Sequence, residues 1–151
     1  MELLVVAALG LLATPAFAQP EFSIDQSKVY SANPASCEAL EKDGADALSD
    51  ANVSVMTFAG GIQSLEYRCD FFDVKTHPTN RSFLATGICE TLGEVYPDMF
   101  AITPYDEKTI QVVSSYDAAM QAAGVLEPDV TGNPGATLYY RCDNLSEIPV
   151  D

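Results

Sequence analysis

The sequence has no tryptophan, one histidine and only seven basic side chains against 22 acidic ones. Each shortage removes a class of function. Binding to a phosphate backbone needs clustered Lys and Arg, and seven scattered cations on a chain of formal charge −15 would be repelled by it. Anionic lipid surfaces are disfavoured for the same reason. With His77 as the sole imidazole, a histidine-rich metal centre is ruled out, and a Ser-His-Asp arrangement has one candidate base and no Gly-x-Ser-x-Gly turn to expose a nucleophile. The four cysteines form no Cys-x-x-Cys pair, which argues against a zinc knuckle and against a redox dithiol. No metal or cofactor is expected.

Long apolar runs are also missing, apart from one at the start. Leu3 to Ala13 is apolar, Pro15 interrupts it, and Ala16-Phe17-Ala18 precedes Gln19 in the small-x-small form of a signal-peptidase site. A membrane span needs about 20 uninterrupted apolar residues. Residues 1–18 are therefore expected to be a cleaved signal, although Met1-Glu2 lacks the usual positive charge. Residues 19–151 then form one exported domain without a membrane span, periplasmic or secreted.

What is present is apolar enough to fold: 48% of residues are hydrophobic and 19% charged, outside the disordered range. The chain also repeats itself. Ser64-Leu65-Glu66-Tyr67-Arg68-Cys69-Asp70 recurs as Thr137-Leu138-Tyr139-Tyr140-Arg141-Cys142-Asp143, with five of seven positions identical. Upstream of each lies a Cys-Glu-x-Leu element, Cys37 to Leu40 and Cys89 to Leu92. This order predicts two unequal repeats, about 31–74 and about 81–146, joined by a linker at 75–80.

Local chemistry assigns elements to the repeats. Asn33-Pro34 opens a helix that Gly44 stops. Leu84, Ile88, Cys89 and Leu92 share a helical face ended by Gly93. Val53 to Phe58 and Gln63 to Phe72 flank Gly60-Gly61 as a hairpin, and Asp98 to Thr103 and Lys108 to Ser114 flank Pro104 to Glu107 as another. A helix is expected over Asp117 to Gly124, followed by an irregular loop from Glu127 to Gly135. The result is an α+β fold, an antiparallel sheet with helices on one side, built as α-β-β and α-β-β-α-β.

Four cysteines in an exported chain predict two disulfides. Pairing within each repeat would give Cys37–Cys69 and Cys89–Cys142; the rival pairs equivalent positions, Cys37–Cys89 and Cys69–Cys142. The repeated polar residues Arg68, Asp70, Arg141 and Asp143 are the candidate binding residues, gathered on one face if the two cysteine strands are neighbours. Their plainer reading is two local surface ion pairs.

Asp43, Asp46, Asp50 and Asn52, and separately Asp129, Thr131 and Asn133, offer oxygen ligands without the order of an EF-hand loop. Asn52-Val53-Ser54, Asn80-Arg81-Ser82 and Asn144-Leu145-Ser146 match the glycosylation triplet. No catalytic constellation stands out. The functional expectation is an acidic, disulfide-stabilised binding module, an inhibitor or sequestering partner of a basic extracytoplasmic protein or cationic ligand. The competing expectation is a small hydrolase using His77 or a carboxylate pair.

Overall fold

A computed structural model describes residues 22–78, 81–127 and 131–147. The expected signal segment, residues 79–80 of the linker and residues 128–130 of the loop lie outside this set. Elements run in the order β1 (Lys28–Ser31), α1 (Ser36–Asp43), a 3₁₀ turn (Gly44–Ser49), β2 (Ser54–Thr57), β3 (Gly61–Ser64), β4 (Tyr67–Thr76), β5 (Phe83–Thr91), β6 (Glu94–Pro104), β7 (Thr109–Ser114), α2 (Ser115–Ala122) and β8 (Ala136–Ser146). Every strand pairs antiparallel with its sequence neighbour, and β1 pairs with β8, so the sheet closes into an eight-stranded barrel. Closure leaves no edge strand for further pairing.

Both helices sit in connections at one end of the barrel, here the lower end, together with the tight β3–β4 and β5–β6 turns. The β2–β3, β4–β5 and β6–β7 turns form the upper end. An eight-stranded barrel is just wide enough for side chains to fill it, and this one is filled. Tyr30, Met56, Ile62, Phe83, Phe100, Ile102, Ile110 and Val112 belong to a single buried cluster inside it. Near the upper end Phe58 meets Phe83 edge to face, with ring centroids 5.0 Å apart.

A second cluster lies outside the barrel wall. Val29, Val55 and Cys142, on the outer faces of β1, β2 and β8, pack against Leu40 of α1 and Ala47 of the 3₁₀ turn. The helix starts two residues after the expected Pro34, at Ser36, and Asn33 serves the turn before it, its side chain accepting the Ala35 N–H at 3.1 Å. The outer faces of β1 and β2 are thus apolar because a helix covers them.

Several expectations need correction. The chain is mostly sheet with two helices, but the sheet is a closed barrel and the helices are not on one side: α1 lies over β1, β2 and β8, while α2 packs on β6 and β7. The expected helix from Leu84 to Leu92 is strand β5. Its buried residues are Phe83, Ala85, Gly87 and Cys89, a period of two, whereas Leu84 and Ile88 are exposed on the outer wall. Apolar residues on both faces imitated a helical stripe. Gly87 serves this strand pairing, since a Cβ there would lie 2.7 Å from the Asp70 carbonyl oxygen.

The single strand expected from Gln63 to Phe72 is broken at Leu65-Glu66 into β3 and β4. Lys75 and Thr76, expected in a linker, continue β4. The hairpin around Pro104 to Glu107 and the helix beginning near Asp117 form as expected.

The disulfides follow a third connectivity, Cys37–Cys142 and Cys69–Cys89. Cys69 and Cys89 are directly opposite each other on β4 and β5, inside the barrel and fully buried. Cys142 faces outward and joins the helix that covers it. The two Cys-Glu-x-Leu elements are therefore not equivalent, one lying on α1 and the other on β5. The Tyr-Arg-Cys-Asp copies also differ, because β4 turns its cysteine inward and β8 turns its cysteine outward.

Candidate functional site

Reversed facing separates the four candidate polar residues. Arg68 and Asp70 project from the outer wall of β4, where Arg68 Nε donates to Asp70 Oδ1 at 2.8 Å with both side chains about half exposed. Arg141 shares the inward parity of Tyr139 and sits at the upper mouth, donating through Nε to Asp143 at 2.8 Å. Asp143 also pairs with Lys108, and the Lys28 ammonium donates to the Asp143 carbonyl at 2.8 Å. These bonds tie β8 to β1 and to the β6–β7 turn.

Hydrogen bonds from Lys108 and Arg141 lower the Asp143 carboxyl to about 2. The geometry is that of a strand fastening. With β4 and β8 on opposite sides of the barrel, the two pairs do not gather on one face.

His77 lies in the upper β4–β5 turn, where its backbone N–H donates to the Ser82 carbonyl at 2.7 Å. Asp98, a buried carboxylate that no sequence motif marks, is at the lower end. The oxygens of Asp98 accept from Met99 N–H at 2.7 Å, Tyr116 N–H at 3.0 Å, Ser115 Oγ at 2.7 Å and Ser114 Oγ at 2.5 Å. Those donors occupy the lone pairs that a general base would use. His77 and this carboxylate stand at opposite ends of the barrel.

Around Asp98 the lower end of the barrel is polar and aromatic. Asp117, on the first turn of α2, lines a recess of about 50 Å³ with Tyr67, Ser114, Thr137 and Tyr139. Burial, and then the nearby Asp98 charge, raises the Asp117 carboxyl above its ordinary range. Burial likewise raises the Tyr67, Tyr96 and Tyr139 hydroxyls, which stay neutral. Tyr96 stacks on Tyr116 at 4.1 Å. The recess has the size of one or two water molecules, too small for an organic ligand of ordinary size.

Beside this recess the two lower turns rise as ridges. Between them runs a groove of about 440 Å³ bounded by Leu65, Glu66, Tyr67, Arg68, Glu90 and Leu92. Thr91 pairs with Glu94 across a two-residue loop, and that loop, Leu92-Gly93, has φ of 40° and 91°. Positive φ at both positions is the twist that antiparallel strands favour, but it suits Asn-Gly. A leucine in the left-handed region costs about 1–2 kcal/mol, and this one is 86% exposed. Gly93, expected to end a helix, is instead the sequence signal of this tight turn.

The groove opens onto the outer wall of β5 and β6, where Ile88, Val95 and Met99 are exposed. Around the 3₁₀ turn, two of the candidate oxygen ligands serve local structure: Asp50 Oδ1 accepts from the Asn52 N–H at 2.9 Å and its side-chain amide at 3.0 Å. Asp129 lies outside the described residues. Among the described residues no group of three His, Cys, Asp or Glu is placed to hold a metal ion, and no helix is long and apolar enough to cross a membrane.

Compared with known protein families, with characterised proteins and with solved structures, the chain matches none of them.

Proposed function

We propose that this protein is an exported, periplasmic or secreted binding module that captures a basic extracytoplasmic protein, acting as an inhibitor or sequestering partner. The observation that carries this reading is the local neutralisation of four of its seven Lys and Arg side chains. Arg68 pairs with Asp70, Lys75 with Asp73, and both Arg141 and Lys108 with Asp143. The acids thus remain in large excess, and the field around the molecule is negative at physiological pH.

A closed, well-filled barrel adds a rigid platform, which lowers the entropy lost on association. Two disulfides support an oxidising compartment. Strong negative charge raises the encounter rate with a cationic partner and weakens as salt is added.

The test is capture from native envelope extract on the immobilised protein, elution by a salt gradient, and reconstitution of the complex from the purified components. Retained proteins of high isoelectric point, with association rates that fall steeply with ionic strength, would support the reading. Retention of acidic proteins, or complexes indifferent to salt, would overturn it.

A further inference from the structure

We infer that the groove between the two lower turns is the docking site, and that it takes a segment of the partner in which a Lys or Arg stands beside an apolar side chain. This rests on the reading of the protein as a capturer of basic proteins and names the surface that does it. Three features of the groove converge. Leu92 at one ridge and Leu65 at the other are exposed by 86% and 52%, so the walls are apolar. Glu66 and Glu90 bound the same groove, and its one cation, Arg68, is already committed to Asp70. A long basic side chain matches both, its aliphatic stem against the leucines and its charged head on the carboxylates.

The third feature is strain. Leu92 occupies a backbone conformation that Asn or Gly would hold more easily. No buried contact repays it, since the side chain is almost wholly in solvent. Strained residues of this kind concentrate where a surface is used. Charge complementarity selects a basic partner over a second copy of this chain, because two molecules of formal charge −15 repel each other.

The test compares the intact protein with Leu92→Asn and with Glu66→Gln/Glu90→Gln. Probes are a synthetic peptide of alternating Lys and Leu, an oligolysine of equal charge, and oligoglutamate as control. Leu92→Asn is expected to raise the melting temperature while weakening the Lys-Leu peptide about tenfold and leaving oligolysine nearly unchanged. The double carboxamide variant is expected to weaken both cationic probes. If both variants bind the Lys-Leu peptide as the parent does, the groove is not the site. Sedimentation showing a parent dimer that Leu92→Asn dissociates would also overturn the inference, by giving the groove to a second copy. Failure of the parent to prefer either cationic probe over oligoglutamate would instead remove the broader reading.

Discussion

Asp98, projecting into the barrel from β6, accepts the backbone N–H of Tyr116 at 3.0 Å across the lower end. That one bond joins the interior of the barrel to the first turn of α2, and the Ser114, Ser115 and Met99 donors complete the set. A carboxylate at a helix N-terminus meets free N–H groups and the positive end of the helix dipole. Asp98 is thus fully satisfied although buried and without a cation among these partners.

Removing it leaves those donors unpaired. Asp98→Ala is expected to cost about 3 kcal/mol, on the scale of hydrogen bonds to a charged group, and to loosen α2. Asp98→Asn, which keeps one acceptor oxygen, should cost less. Urea midpoints measure both; a midpoint unchanged in the alanine variant would show that α2 is held by other contacts.

Asp117 predicts a pH effect of the opposite kind from an ordinary surface carboxylate. Its native carboxyl is raised by burial and by Asp98, so the folded state holds the proton more tightly than the unfolded chain does. The associated stability is present below the ordinary carboxylate value and is lost as pH climbs through the raised native value. Asp117→Asn should therefore be more stable than the parent at neutral pH and show a flatter decline on the acidic-to-neutral limb. Melting temperatures taken from pH 3 to 8 decide this, and parallel curves would refute it.

At the upper mouth Asp143 behaves in reverse. Lys108 and Arg141 lower its carboxyl to about 2, so its contribution is present above the unfolded value near 3.8 and disappears as pH falls toward 2. Asp143→Asn should erase that part of the acid limb and free the β6–β7 turn. The check is acid unfolding followed by a strand-specific probe such as amide exchange at Lys108 and Arg141.

Peptide mapping of the unreduced protein should recover Cys37 with Cys142 and Cys69 with Cys89. By loop closure alone the first bond, separated by 105 positions, stabilises by about 5 kcal/mol and the second, separated by 20, by about 3 kcal/mol. Cys37→Ala/Cys142→Ala should release α1 and leave the barrel folded. Cys69→Ala/Cys89→Ala should also open a void in the interior, so its cost should exceed the loop figure. A loss in the Cys69→Ala/Cys89→Ala variant no greater than its loop figure would contradict the placement of that bond inside the wall.

Much of the local structure was legible in the residues. Asn33-Pro34 and Gly44 bracket α1 because they satisfy or terminate a helix whatever surrounds it. The turn at Pro104 to Glu107 and the helix after Ser114 likewise follow from turn and cap chemistry. The strand at Phe83 to Thr91 did not, because its outward residues Leu84 and Ile88, and Leu92 in the turn after it, are apolar and exposed, and a pattern read for burial assigns them to a core. The surface that makes this strand hard to read is the same one that opens from the proposed docking groove.

The cysteine count, the acidity and the shortage of histidine were set by composition, and with them the expectation of two bridges and of a chain unsuited to nucleic acid. Which thiols meet was decided by strand register and by what covers each face. The β4–β5 register puts Cys89 opposite Cys69, and the β1–β8 pairing that closes the barrel turns Cys142 outward beneath α1. A recurring heptapeptide cannot reveal this, since its side chains point inward or outward according to the register of the neighbouring strands, and register is a property of the closed sheet.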